Sequence, residues 1–226
     1  MRLMNITNVE QKKFHYIPFS RDFMEAFGKR EIGGIWIVYG KSGHGKTSFA
    51  LQLAKEFDNI GYRTLFASLE MGISADLQEQ LRESGVRSST NDIGFVEDLT
   101  VKDLDEQLKK QRAPRVVIID SLQYFIDQCG ATAEDIINLR KKYRSKIFVL
   151  LSHVDGKEVD GRGAYVVKRD SFVRIQVEGF RAIYKGRGRG GTTGYFTIWK
   201  EGADNYWLPT IKEQEEDKAW PKELQK

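Results

Sequence analysis

The chain has 226 residues, 40% of them hydrophobic and 30% charged, with a formal net charge of +4. That size and balance suit one α/β domain able to bury a full core. A single cysteine, Cys129, excludes an intramolecular disulfide framework and suits a reducing cytosol. Met1–Lys13 has no apolar stretch of signal-peptide length and the longest apolar runs are strand-sized, so a cytoplasmic chain with no membrane partner is expected.

Residues 1–30 are expected to form an N-terminal arm that can dock on a neighbouring subunit. Residues 31–210 are expected to form one core, and residues 211–226 a charged tail, frayed from Lys212 on. The core opens with an apolar strand, Ile35–Tyr39. Directly after it, Gly40-Lys41-Ser42-Gly43-His44-Gly45-Lys46-Thr47 fits G-x-x-x-x-G-K-[ST] at every fixed position. The glycines let backbone N–H groups converge on an anion at a helix N-terminus, where the helix dipole also favours negative charge. Lys46 adds a mobile cation, Thr47 a hydroxyl for Mg²⁺, and Ser48 completes the expected contacts to a nucleoside triphosphate.

Thr47–Ile60 carries Ala50, Leu53, Ala54 and Phe57 at helical spacing and stops at Gly61. Thr64–Leu69 then reads as a buried strand, Ser74–Ser84 as a helix, Ile93–Val96 as a short strand and Thr100–Arg112 as a helix ending before Pro114. The alternation continues with strand Arg115–Asp120, helix Ala133–Tyr143 and strand Ile147–Leu151, as a parallel sheet with helical crossovers demands. From Tyr165 onward only strands are expected. Ser171–Val177, Phe180–Lys185, Thr193–Trp199 and Asn205–Leu208 would extend the sheet in antiparallel fashion.

Basic residues cluster twice. Arg140, Lys141, Lys142, Arg144 and Lys146 suit either a polyanion or the solvated C-terminal end of a helix. The second group, Lys168 to Arg189, is interleaved with glycines and is the better candidate for a polyanion.

Three strand ends carry candidate chemistry. Asp120, after four apolar residues, suits a Mg²⁺ ligand shared with Thr47, although a strand-end Asp can also cap the next turn. Glu70, in Ala67-Ser68-Leu69-Glu70-Met71, suits a carboxylate that orients a water in line with the γ-phosphate, although acids at strand ends are common. His153 follows a hydrophobic strand and precedes the Gly-rich stretch Asp155–Gly163, where it can report a γ-phosphate or simply close a structural hydrogen bond.

Together, Gly40–Thr47, Ser68-Leu69-Glu70-Met71, Ile118-Ile119-Asp120-Ser121-Leu122-Gln123, Leu151-Ser152-His153 and Lys185-Gly186-Arg187 resemble the ATPase core of RecA-fold proteins, nearest to DnaB-like replicative hexameric helicases. The resemblance spans about Ile32 to Trp199. It implies a RecA-like α/β fold with ATP and Mg²⁺ as ligands, Glu70 as catalytic glutamate and His153 as γ-phosphate sensor. It also implies that Lys185 and Arg187 reach a neighbouring subunit's nucleotide, Arg187 as an arginine finger, and so self-association as a hexameric ring or filament. The stretch around the finger is longer than in the family, so Arg189 competes with Arg187. A collar or primase domain, usual in that family, has no counterpart in the roughly 30 residues before the core.

Single-stranded DNA is the expected partner. It would meet the loops Tyr124–Thr132 and Asp155–Tyr165, with Lys157, Arg162 and Tyr165 in the second, and Arg189 beyond it. The leading functional reading is a minimal DnaB-like helicase or translocase. The alternatives are a RecA-like recombination or strand-annealing protein using ATP as a switch, and a KaiC-like regulatory ATPase without DNA.

Overall fold

The computed structural model describes residues 3–87, 92–186 and 194–208. The expected finger residues Arg187 and Arg189 and the tail 211–226 lie outside the described residues.

The frame is an eight-stranded sheet in the order β10-β9-β8-β1-β5-β4-β2-β3. Its elements are β1 (Gly34–Tyr39), β2 (Thr64–Ser68), β3 (Ile93–Val96), β4 (Val116–Asp120), β5 (Ile147–Ser152), β8 (Val173–Glu178), β9 (Arg181–Tyr184) and β10 (Tyr195–Thr197). The strands from β8 through β3 in that order pair in parallel, whereas β8, β9 and β10 pair antiparallel. The mainly parallel sheet with an antiparallel extension is the architecture expected from the sequence.

Helices cover both faces, so the central strands are apolar along their whole length and β1 is buried at every position. Alternation still sorts the side chains. Trp36 and Val38 face a core with Phe49, Leu53 and Phe57 of α3 (Lys46–Asn59), while Ile35 and Ile37 face Phe125, Leu139 and Val167 on the other side. The core reaches back to Ile17, because Phe19, Phe23 and Phe27, the last two on α2 (Arg21–Phe27), pack against Trp36, Phe57, Phe49 and Phe196. Ahead of them α1 (Ile6–Glu10) buries no residue.

The remaining helices are α4 (Ala75–Glu83), α5 (Val101–Lys109), α6 (Leu122–Asp127), α7 (Ala133–Lys142) and α8 (Arg162–Asp170). Several expectations are corrected here. The region after Tyr165 is not strands only: α8 places Ala164 and Val167 one turn apart against the core, and its basic last turn hides that periodicity. Residues 200–208 are helical, so Asn205–Leu208 is no strand. Aromatic side chains favour strands on average, but here tertiary packing wins: Ala203 is buried and donates its N–H to Trp199, and the Trp207 indole donates to the Gly179 carbonyl. The first half of Tyr124–Thr132 is α6 rather than loop. Asp155–Tyr165 is a small hairpin, β6 (Val154–Asp155) with β7 (Glu158–Val159), followed by the start of α8. Helix Thr100–Arg112 stops at Lys109.

Two residues of the basic run at the end of α7 are paired at home. Arg140 forms an ion pair with Asp170 at 2.8 Å and Lys142 one with Asp105 at 2.5 Å, as a helix C-terminus with acidic neighbours favours.

Candidate active site

Chain order brings the chemistry together at the carboxyl edge of the parallel strands, where open α/β sheets bind ligands. The Gly40–Thr47 loop follows β1, His153 follows β5, Asp120 ends β4 and Glu70 follows β2. These four strands are consecutive neighbours in the sheet. Their registers agree at that edge: Tyr39 lies opposite Ser152, and Ser68 opposite Asp120. The backbone N–H groups of Leu69 and Glu70 both donate to the Asp120 carbonyl, at 2.7 and 3.1 Å, which locks the Glu70 turn to the end of β4.

The loop is shaped for an anion. Gly45, in left-handed conformation at φ 94°, is the N-cap of α3 and supplies no side-chain oxygen, so the first N–H groups of the helix have no side-chain cap. Gly40 touches the neighbouring strand so closely that a Cβ there would lie 2.1 Å from the Val177 carbonyl oxygen. Lys46 folds over the loop and donates to the carbonyls of Gly40 and Lys41, both at 3.0 Å. Burial lowers the pKa of its ammonium, and Asp120 and Glu70 partly restore it.

Thr47 donates its hydroxyl to Asp120 Oδ2 at 2.7 Å. Burial pushes the Asp120 carboxyl up to about 6, against the opposing effect of the Thr47 hydrogen bond. A nearly buried carboxylate beside a hydroxyl, at the mouth of an anion cradle, fits one side of a Mg²⁺ shell completed by phosphate oxygens and water. Among the described residues no group of three or more His, Cys, Asp or Glu could hold a metal ion by itself.

Across from this pair, Glu70 Oε2 and His153 Nε2 lie 2.9 Å apart. Lys46, Thr47, Asp120, Glu70 and His153 therefore converge, whereas Lys185 belongs to another group. It lines a cavity of about 290 Å³ with Tyr39, Glu158, Tyr165, Lys168, Arg169 and Arg174, in which Lys168 pairs with Glu158 at 2.9 Å and the basic groups outnumber the acid. Lys157 sits at the hairpin turn, and Arg162 and Tyr165 are exposed on the first turn of α8.

One positioning residue escapes a reading of the sequence. Gln123, on the first turn of α6, accepts the His153 N–H at 3.2 Å and donates to Ser152 Oγ and to the Asp160 carbonyl, both at 2.9 Å. One amide thus joins the histidine to the far end of the hairpin. The polar residue after Asp120-Ser121-Leu122 was the available signal, but its partners lie about 30 residues away and no local pattern names them. His44 accepts the Gly179 N–H at Nδ1, 3.0 Å away. Burial lowers its pKa, which favours the neutral ring this bond requires.

No protein-family model matches the chain. In sequence it is 24% identical over 145 residues to the DNA repair protein RadA of Chlamydia muridarum, covering 59% of this chain and 31% of RadA. It is 28% identical over 174 residues to the DNA repair and recombination protein RadB of Methanosphaera stadtmanae, covering 67% of this chain and 75% of RadB. The chain spans less than a third of the length of the RadA proteins it matches, 31% and 30%. In structure it is similar to the flagellar accessory protein FlaH from Methanocaldococcus jannaschii, with a TM-score of 0.59 at 16% identity, covering 78% of this chain and 89% of FlaH. The ATPase domain of G40P gives a TM-score of 0.50 at 15% identity, covering 72% and 79%. No helix among the described residues is long and apolar enough to cross a membrane. The sheet order, the phosphate loop and these neighbours agree: the chain has the RecA-like P-loop ATPase fold.

Proposed function

We propose that the chain hydrolyses ATP as a RecA-like motor on single-stranded DNA, in the manner of a minimal DnaB-like helicase or translocase. The observation that carries this reading is the Glu70–His153 pair, facing a phosphate loop whose Lys46, Thr47 and Asp120 are already within contact of one another or of the loop. Lys46 leaves the two loop carbonyls for the β- and γ-phosphates. Thr47 and Asp120 would hold a Mg²⁺ ion, which would supply positive charge to the phosphate oxygens. Glu70 takes a proton from a water whose oxygen attacks the γ-phosphorus while the bond to the bridging oxygen breaks, releasing ADP and phosphate. His153 donates toward the γ-phosphate, and its loss after cleavage reaches the hairpin through Gln123.

The DNA part rests on the surface beyond that hairpin. Tyr165, Arg162 and Lys157 combine an exposed ring with cations, and the cavity next to them adds Arg174 and Lys185, the chemistry that tracks a phosphate backbone and stacks bases. Assembly as a hexameric ring or filament, with Arg187 or Arg189 reaching a neighbour's ATP, belongs to the same proposal. A second reading, recombination or strand annealing with ATP as a switch, is favoured by the RadA and RadB similarity.

Fluorescence anisotropy with a labelled oligo(dT) at several salt concentrations tests the DNA claim. Affinity should fall log-linearly with salt, and the double variant Lys157→Ala, Arg162→Ala should flatten that slope by about 1.4, two phosphate contacts at about 0.7 each. No binding, or binding indifferent to salt, would favour a regulatory ATPase without DNA. Unwinding of a forked duplex separates the motor from the annealing reading.

A further inference from the structure

We propose that the cavity at the amino ends of β5, β1 and β8 is a docking site for a short acidic peptide segment of a partner protein, seated by an apolar side chain. It lies at the opposite edge of the sheet from the phosphate loop, and the proposal stands apart from the nucleotide reading above. The cavity measures about 370 Å³.

Strand order brings its walls together. β5, β1 and β8 are parallel neighbours, so the segments that enter them meet at one edge: the turn after α7 with Arg144, the segment between α2 and β1 with Lys29 and Arg30, and Phe172 just ahead of β8. Two glycines let these segments close on one another. A Cβ on Gly33, at φ 109°, would lie 2.1 Å from the Arg144 carbonyl oxygen, and one on Gly34, at φ 89°, would lie 2.7 Å from Phe172 Cδ2. The Phe172 backbone is anchored too, its N–H donating to the Ile35 carbonyl at 2.8 Å. The ring still remains 57% exposed. A lone exposed ring is ordinary, but this one is held in place beside a cavity whose rim is mostly of one charge.

Lys29, Arg30, Lys141 and Arg144 line the cavity against a single acid, Glu31, and none of the four cations forms an ion pair among the described residues. Arg30 donates to the Tyr184 hydroxyl at 2.6 Å, and the Lys29 ammonium stands 4.0 Å from the centroid of the Tyr16 ring, contacts that leave both charges uncompensated. Arg140, also in the lining, is paired with Asp170, yet its Nε is buried with no acceptor among the described residues. The same holds for Nε1 of Trp36, another lining residue. The unmatched groups are therefore mainly cations and N–H donors, which calls for a ligand rich in acceptors and negative charge.

Glu31 and the shape of the site favour a peptide over a nucleic-acid strand. Single strands are bound along a groove in which cations and rings recur from one nucleotide to the next, whereas here one exposed ring borders one cavity. A phosphate backbone carries no donor for the Glu31 carboxylate, while a peptide backbone offers an N–H at every residue except proline. An apolar side chain against Phe172 and Ile32, with neighbouring Asp or Glu carboxylates on Lys29, Lys141 and Arg144, gives the apolar centre and charged rim of a protein interface.

Fluorescence anisotropy of a labelled peptide of consecutive aspartates ending in phenylalanine, titrated with the full chain without nucleotide, tests the assignment. Wild type should bind it with an affinity that falls as salt rises. Phe172→Ala, or alanine in place of the peptide's phenylalanine, should each weaken binding about tenfold, the loss of a central aromatic anchor. The double variant Lys141→Ala, Arg144→Ala should weaken it as much. Both of those side chains are exposed, so this variant keeps the test valid where Phe172→Ala fails to fold. Lys157→Ala with Arg162→Ala, at the other edge of the sheet, should leave peptide binding unchanged. No binding by wild type, binding that survives Lys141→Ala, Arg144→Ala, or equal binding of the alanine peptide would overturn the site. Oligo(dT) binding that the same double variant abolishes would also overturn it, by making this face a nucleic-acid surface. The readout needs neither ATP nor hydrolysis, so its failure leaves the motor reading intact.

Discussion

Glu70→Gln is expected to lower steady-state ATP turnover by about 10²–10⁴-fold, the usual contribution of a positioned general base, while Mg²⁺-ATP binding survives. The substitution is nearly isosteric. Its amide oxygen can still accept from His153 Nε2, 2.9 Å away in the wild type, and the two N–H bonds from Leu69 and Glu70 to the Asp120 carbonyl belong to the backbone. What disappears is the ability to take a proton from water. Parallel turnover and calorimetric binding measurements check this, and turnover near wild type would remove Glu70 from the chemistry.

Asp120→Asn should stabilise the metal-free protein above neutrality and abolish hydrolysis at the same time. Burial raises the Asp120 carboxyl from 3.8 to about 6, so the folded chain holds a proton that the unfolded chain has already lost between those values. Below pH 4 both states are protonated and the burial carries no electrostatic penalty. Stability then falls as pH rises through the window from about 4 to about 6, and above it the charged form costs the full difference. A gap of roughly two pK units corresponds to about 3 kcal/mol. Asn keeps an oxygen for the Thr47 hydroxyl and never charges, so in EDTA the variant should gain up to about 3 kcal/mol over wild type at pH 8 and little at pH 4. Denaturant unfolding of both proteins at the two pH values decides it; a gain independent of pH would show that burial of charge is not the cause. The loss of hydrolysis in the same variant would show that the carboxylate is retained for the metal and not for the fold.

Much of this architecture was legible because its signals are local. The phosphate loop needs two glycines, a lysine and a hydroxyl in one eight-residue run between a strand and a helix, and buried parallel strands announce themselves as short apolar runs ending in Asp120, Glu70 or His153. The parts that escaped depend on contacts far apart in sequence. The helical region 200–208 reads as a strand because Tyr206, Trp207 and Leu208 are good strand formers, and only the Gly179 carbonyl and the pocket for Ala203 make the helix preferable. α8 is obscured by Lys168 and Arg169 in its last turn. Gln123 has no role visible from its neighbours, since its three hydrogen bonds go to Ser152 at the end of β5, to His153 just after it and to Asp160 beyond the β6–β7 hairpin. The Phe180–Trp199 contact joins the turn after β8 to the segment after β10, two aromatics that read from the sequence as members of separate short strands.

Gln123 is the link by which the proposed hydrolysis would be felt at a distance. Its amide holds the His153 backbone and the Asp160 carbonyl together, so in the proposed mechanism a movement of His153 on loss of the γ-phosphate would pull on the hairpin that carries Lys157 and leads into Arg162 and Tyr165. The same hairpin and helix form the proposed DNA surface, so under that proposal the nucleotide and the strand would lie at opposite ends of one short hydrogen-bonded path.

The most direct test of that coupling is steady-state ATP hydrolysis by the full chain with and without single-stranded DNA, with Lys46→Ala as the blank and light scattering of the same samples for mass. The motor reading predicts turnover that is absent in the blank, stimulated by DNA and found in a multimer. Turnover indifferent to DNA, or a monomer with none, would contradict it.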